Sequence, residues 1–122
     1  MPALTVQNQN YVEVGFANSP ITLTCKDNQG NTFIRNTVIV DATTGIVQIK
    51  LPALSSLNPE LQCEISFIVK DNTNDIIITA DIMDGNSIGS QSQLTISAGG
   101  ASGLILTLSA VTNYLWQSQT TT

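Results

Sequence analysis

The amino-acid sequence predicts an all-β protein, an antiparallel β-sandwich or β-roll of jelly-roll type with about 8–10 strands. Apolar and polar residues alternate with a period of two in segment after segment. Clusters of Gly, Pro, Asn and Asp separate these segments at intervals of roughly ten residues. No segment shows the 3.6-residue period of an amphipathic helix. A length of 122 residues suits one compact domain.

The first third of the chain predicts an N-terminal arm followed by a β-hairpin. Residues 1–10 show little periodicity and suit an arm. The next two segments alternate and are separated by Asn-Ser-Pro at 18–20. Asp, Asn and Gly at 27–31 predict a turn because they tolerate left-handed backbone conformations. In this hairpin or meander, one face would carry Val12, Val14 and Phe16, and the next segment would have Ile21, Leu23 and Cys25 on one face.

The middle of the chain predicts further strands with one interruption. Strands are expected near 37–40, 47–51 and 63–70, with turns at 41–45 and 71–74. Pro52 ends the second of these strands because it lacks a backbone donor. The Pro-containing connection that follows suits one short helical turn at 53–57, and no other helix is expected.

The stretch from residue 75 to residue 97 organises the remainder of the chain. It predicts a strand, a tight turn at Asp84-Gly85 and a second strand. A Gly-rich loop at 99–103 then leads to a Leu-rich strand. The chain closes on Tyr-Leu-Trp at 114–116, and the polar tail from Gln117 onward is expected to be loosely ordered.

The charge pattern argues against several classes of function. Charged residues make up 11% of the chain and the net charge is −5. The four basic residues are scattered, so a nucleic-acid partner is not expected. No apolar run reaches the length of a membrane-spanning helix, and the N-terminus does not resemble a secretory signal. Long strands with few charges instead favour association with other copies of the chain.

Three strands are apolar on both faces and predict a subunit interface. Ile39, Ile77 and Ile105 each lie between two apolar neighbours that would face the core. The second apolar face must meet another sheet or another subunit. We therefore assign these three residues to a subunit interface. A third layer within the same chain is the alternative.

No catalytic constellation is visible, so we expect no enzyme and no cofactor. The chain has no histidine, which removes the commonest general base and metal ligand. Asp-Asn-Thr-Asn-Asp at 71–75 has oxygen ligands, but Ile76 and Ile82 stand where an EF-hand needs Gly and Glu. A hairpin turn is the favoured interpretation. Ser102 lacks the flanking pattern of a nucleophile elbow.

Two pairs of residues leave alternatives open. Cys25 and Cys63 both lie on predicted inward positions, and two buried thiols are favoured over a disulfide. Tyr114 and Trp116 could form a platform on which a glycan stacks. We favour the interpretation that these aromatic rings anchor the last strand in the core or in an interface.

Short motifs follow one another in a fixed order from residue 37 to residue 116. They are Asp-Ala-Thr-Thr-Gly (41–45), Leu-Pro-Ala (51–53), Phe-Ile-Val-Lys (67–70), Asp-Gly (84–85), Gln-Leu-Thr-Ile (93–96) and Asn-Tyr-Leu-Trp (113–116). Together they resemble a β-structured unit of phage tail fibres, head fibres and spikes. The typical ending of that family is Asn-Trp, and Tyr-Leu is inserted here.

The resemblance implies a non-enzymatic bacteriophage virion protein that forms homotrimers. A chain of 122 residues that begins at Met1 fits a capsid decoration (cement) protein better than a long fibre. Residues 1–36 would dock on the capsid, 37–117 would form the fibre-like β domain, and 118–122 would be a tail. Partners would be the chain itself, the major capsid protein or other virion proteins, and in the alternative a host-surface glycan. The protein would assemble in the host cytoplasm and reside on the virion surface.

Overall fold

The structure is a computed structural model that describes residues 11–23, 35–56, 63–112 and 114–121. These residues form β-strands and three short 3-10 turns, and they contain no α-helix. The all-β prediction is confirmed, and the described residues form ten strands. The strands are β1 (Tyr11–Gly15), β2 (Ile21–Thr22), β3 (Arg35–Asp41), β4 (Val47–Lys50), β5 (Glu64–Asp71), β6 (Ile76–Thr79), β7 (Ser87–Ile88), β8 (Gln93–Ile96), β9 (Ile105–Ala110) and β10 (Leu115–Thr121).

The strands form two mixed sheets. A six-stranded sheet has the order β1-β3-β5-β9-β10-β7, and a four-stranded sheet has the order β2-β4-β6-β8. The first three strands of each sheet are parallel, whereas β8, β9 and most of β10 pair antiparallel. The antiparallel prediction is therefore wrong for half of the molecule. Period-two alternation reports which face is buried and carries no information on strand direction.

The chain alternates between the two sheets through its first six strands. β1, β3 and β5 belong to one sheet, and β2, β4 and β6 belong to the other. β1 and β2 lie in different sheets and therefore do not pair with each other, while the predicted hairpin or meander around residues 27–31 stays a prediction. Residues 1–10 and the predicted turn at 27–31 lie outside the described residues.

The strand pairs β3–β5 and β4–β6 have the same spacing along the chain. Val38 pairs with Phe67 in one sheet, and Val47 pairs with Ile76 in the other. Each partner lies 29 positions further along the chain. A constant offset places like residues side by side, so apolar rows run across both sheets.

One hydrophobic cluster fills the interior, and both sheets contribute to it. Alternate residues of β4 and β6 are buried, as their sequences predict. β-branched side chains suit such rows because they pack well on a pleated surface. The largest fully buried side chains are Trp116, Phe67, Ile49, Leu51, Ile65, Ile76, Ile78, Leu106 and Leu108.

Hydrogen bonds from polar side chains hold the connections between the sheets. The Asn72 side chain is buried, its Nδ2 donates to the Ser97 carbonyl at 2.8 Å, and its Oδ1 accepts from the Ala101 N–H at 3.0 Å. It therefore ties the β5–β6 connection to the loop between β8 and β9. The hairpin turn favoured at 71–75 is wrong, because this connection joins strands of two different sheets.

Three smaller expectations have clear outcomes. A 3-10 turn at Leu54–Ser56 confirms the helical turn predicted there, although similar turns also form at Phe16–Asn18 and Ile82–Asp84. The C-terminal tail was expected to be loose, but β10 continues to Thr121 because β9 pairs with it along its length. No helix in the described ranges combines the length and apolar character that crossing a bilayer requires.

Three consecutive isoleucines provide a direct test of this packing. Ile76 and Ile78 are fully buried, whereas Ile77 lies between them on the outer face and is only partly buried. We expect Ile76→Ala and Ile78→Ala each to lower the free energy of unfolding by about 2–5 kcal/mol. Ile77→Ala should cost about 1 kcal/mol because less apolar area is lost. Urea denaturation measures the three values, and equal losses would contradict the assigned faces.

Candidate functional site

The outer face of the six-stranded sheet carries three isoleucines in line, here called the outer row. Ile39 of β3 pairs with Ile68 of β5, which in turn pairs with Ile105 of β9. Ile39 and Ile68 are partly buried by their neighbours, and Ile105 remains 38% exposed. The core residues occupy the alternate positions, so the outer row points away from the core.

Hydroxyl side chains form a second row beside the outer row. Thr37, Ser66 and Thr107 pair across the same three strands. The Ser66 Oγ lies 3.2 Å from the Thr107 Oγ1. Neutral hydroxyls are less costly to desolvate than charges, so this part of the face suits a protein contact.

Charged groups on this face lie towards its margins. The Lys70 Nζ lies 3.3 Å from the Glu13 Oε2, and both side chains are more than half exposed. Such an exposed ion pair contributes about 0–1 kcal/mol to stability. At another margin the Ser109 hydroxyl donates to the Glu64 carboxylate at 3.4 Å.

The three predicted interface residues do not lie on one surface. Ile39 and Ile105 share the outer row, whereas Ile77 lies in the other sheet, paired with Gln48 and Thr95. Ile68 completes the outer row and was missed. The run Phe67-Ile68-Val69 could have revealed it, since it is apolar on both faces like the three strands that were recognised.

The two C-terminal aromatic residues have different environments. Trp116 is fully buried and belongs to the core, which agrees with the anchor interpretation. A sugar ring cannot stack on it in this structure. Tyr114 is 56% exposed. The two rings therefore do not form a common platform for a glycan.

The thiol of Cys63 lies in the core, and the side chain is 1% exposed. Cys25 lies outside the described residues. The preference for two buried thiols over a disulfide therefore stays a prediction.

Two aspartates repeat the same local arrangement at neighbouring corners. Asp41 and Asp71 pair across β3 and β5 after a register shift that skips Lys70. The Oδ1 of Asp41 accepts from the backbone N–H and the hydroxyl of Thr43, and the Oδ1 of Asp71 accepts from the same groups of Thr73. The repeated Asp-x-Thr motif is visible in the sequence and could have indicated that these two corners correspond, but it was missed.

Hydrogen bonds lower the pKa of two carboxyl groups. The backbone N–H and then the hydroxyl of Thr73 hold the pKa of Asp71 below its ordinary value. The hydroxyl and the backbone N–H of Ser55, which lie 2.6 and 3.0 Å from the Asp84 oxygens, lower the pKa of Asp84. Asp84 thereby ties the turn after β6 to the Leu54–Ser56 turn. These carboxylates act as structural acceptors.

Gly85 follows Asp84 with φ of +74°, a left-handed conformation that favours glycine. The Asp84-Gly85 turn predicted from the sequence is therefore present. It lies within the connection between β6 and β8, which pair antiparallel.

Two shallow hollows lie on the described surface. One of about 290 Å³ is lined by residues of β2, β4 and β6 and contains Lys50 as its ionisable group. The other, of about 270 Å³, is lined by Ser109, Gln117, Ser118 and Gln119. Within the described ranges, no three Asp, Glu, Cys or His residues come together in a way that could hold a metal ion.

Comparisons with known proteins give no match: no family model, no curated protein and no solved structure is similar to this chain.

Trp116 offers a test of the core anchor. Its Nε1 is buried and has no hydrogen-bond partner among the described residues. We expect Trp116→Ala to lower the free energy of unfolding by about 3–5 kcal/mol because it leaves a cavity. Trp116→Phe should cost clearly less, since it keeps an aromatic ring and removes the unpaired donor. Chemical denaturation of both variants measures the difference, and equal losses would contradict this role.

The lowered pKa values predict an acid-sensitive fold. A carboxyl whose pKa is lower in the folded state contributes stability that is present above its unfolded pKa of about 3.9. That contribution is lost as the pH falls through the lower, folded pKa. The melting temperature, measured from neutral pH to strong acid, should therefore decline once the pH falls below the unfolded pKa. Asp84→Asn and Ser55→Ala should each make this decline of the melting temperature with falling pH shallower. A decline as steep as that of the wild type in both variants would contradict the assignment.

Proposed function

We propose that this chain is a non-enzymatic structural protein of a bacteriophage virion, a homotrimeric capsid decoration protein that stabilises the shell. The observation that carries the proposal is the outer row. Its three isoleucines are aligned beside a row of hydroxyl side chains on the outer face of the six-stranded sheet. A sheet face of this kind gains stability when a second protein surface covers it. The resemblance of residues 37–116 to phage fibre and spike units supports the virion assignment.

The proposed mechanism is mechanical. Three copies cover one another's outer faces, and the two sheets of each copy form the two layers of a β-roll. The trimer binds the assembled shell and bridges its subunits, with the major capsid protein or another virion protein as its partner. A protein that binds only the assembled state favours that state by mass action.

A host glycan is the alternative partner, and one observation favours it. Tyr114 exposes more than half of its surface close to the chain's C-terminus, where an aromatic face could meet a sugar ring. In this alternative the protein acts as a head-fibre or spike domain. Glycan binding that disappears in Tyr114→Ala, with trimers intact, would favour it over decoration.

Imaging of virions with and without the protein tests the decoration function. We expect density for three copies at defined sites on the shell, and earlier heat-induced disruption of particles that lack it. Density on the tail, or equal heat resistance of both particles, would overturn the proposal.

Self-association can be tested with one matched pair of substitutions. Ile105→Ser changes the most exposed member of the outer row, and Ile82→Ser makes the same change at a 64% exposed position on the Ile82–Asp84 turn. We expect sedimentation to show trimers in the wild type and in Ile82→Ser. Ile105→Ser should shift the equilibrium towards monomers by about tenfold or more, since apolar interface area is lost. Trimers of equal stability in both variants would contradict a contact at the outer row.

A further inference from the structure

Charge is distributed very unevenly along the chain. All nine acidic and all four basic residues lie within the first 84 positions. Residues 85–122 carry no charged side chain at all. This segment supplies β7, β8, β9 and β10.

The fold collects most of this segment at one side of the molecule. β10 and β7 form one end of the six-stranded sheet, and β8 forms one end of the four-stranded sheet. A short connection joins the two ends, and in it the backbones of Ile88 and Gln91 exchange hydrogen bonds of 2.7 and 3.0 Å. We call the surface formed by β7, β8 and β10 the charge-free flank.

The charge-free flank presents unpaired strand edges. β7 pairs with β10 only at Leu115 and Trp116. In the described part of the chain, residues 117–121 therefore have β9 on one side and no strand on the other. Among the residues that the structure describes, β8 pairs with β6 alone. Neither edge contains the Lys or Pro residues that commonly prevent strand edges from pairing with another chain.

The exposed side chains of the flank are able to pair with copies of themselves. Those of β8 and β10 include Gln93, Thr95, Gln117, Ser118, Gln119 and Thr120, all of them exposed. Amides and hydroxyls both donate and accept hydrogen bonds. A surface built from them can therefore face an identical surface, whereas a surface of one charge sign cannot.

The net charge favours the same side for an approach between copies. Two chains of charge −5 repel each other. The Glu13–Lys70 pair and the Asp41 and Asp71 corners belong to β1, β3 and β5, none of which forms part of the flank. Ile105 lies in the six-stranded sheet opposite Thr121 of β10, so the outer row is continuous with the flank.

We propose that the partner of the charge-free flank is a second copy of this chain, and that β8 and β10 lie at the centre of the contact. This inference rests on the self-association in the proposed function and assigns it to one side of the molecule. It also relates the predicted interface residues to each other, because Ile105 pairs with β10 and Ile77 pairs with Thr95 of β8.

Three exposed glutamines in strands allow a matched test. Gln93 and Gln119 lie on the flank, and Gln48 lies on β4, away from it. Each is changed to Glu and, separately, to Lys, and association is measured by sedimentation equilibrium. At Gln93 and at Gln119, we expect the Glu variant and the Lys variant each to raise the dissociation constant at least tenfold, since a desolvated unpaired charge is costly. Neither change at Gln48 should do so, and thermal unfolding should show that all variants fold.

The possible outcomes separate this inference from the proposed function. A wild type that stays monomeric across the micromolar range would overturn both. A wild type that associates, with flank variants that associate equally well, would overturn the flank assignment alone. Loss of association with Glu but not with Lys at the flank, or loss at Gln48 as well, would indicate general repulsion and would also overturn it.

Discussion

The structure depends on strand pairing between distant segments of the chain. Each of β1 to β4 pairs with the strand two places later in chain order. The first six strands alternate between two sheets, and β3 pairs with β5 and β4 with β6 at an offset of 29 residues up to the register shift before Asp41. The pairing places alternating apolar residues in rows, and the rows from both sheets fill one core. Long-range backbone pairing and core packing are therefore inseparable in this fold.

Polar side chains make this winding possible at its corners. Asp41 and Asp71 bind the backbone of the residues that follow, and Asn72 satisfies backbone groups of two distant loops. Asp84 joins the turn after β6 to the Leu54–Ser56 turn. Since buried or turning backbone needs hydrogen-bond partners, these short polar residues stabilise the connections of the fold.

The surface reflects a division between the two parts of the sequence. The parallel strands and their corners carry the charges, whereas the strands from β7 onward carry none. Low charge reduces the cost of removing water from a surface, and unpaired strand edges supply directional hydrogen bonds. The outer row and the charge-free flank meet at β9 and β10, so one continuous uncharged region joins an apolar face to a polar edge. Both proposals about association start from this region.

The sequence by itself determined the all-β class, the inward positions of most strands and the Asp84-Gly85 turn, because alternation and turn chemistry are local properties. It also indicated Ile39 and Ile105 as outward apolar residues. Tertiary structure alone decided strand direction and sheet membership, since both depend on pairing between distant segments. For the same reason, only the structure brought Ile68 between Ile39 and Ile105, placed Ile77 in the other sheet, buried Trp116 and gathered the uncharged strands at one side.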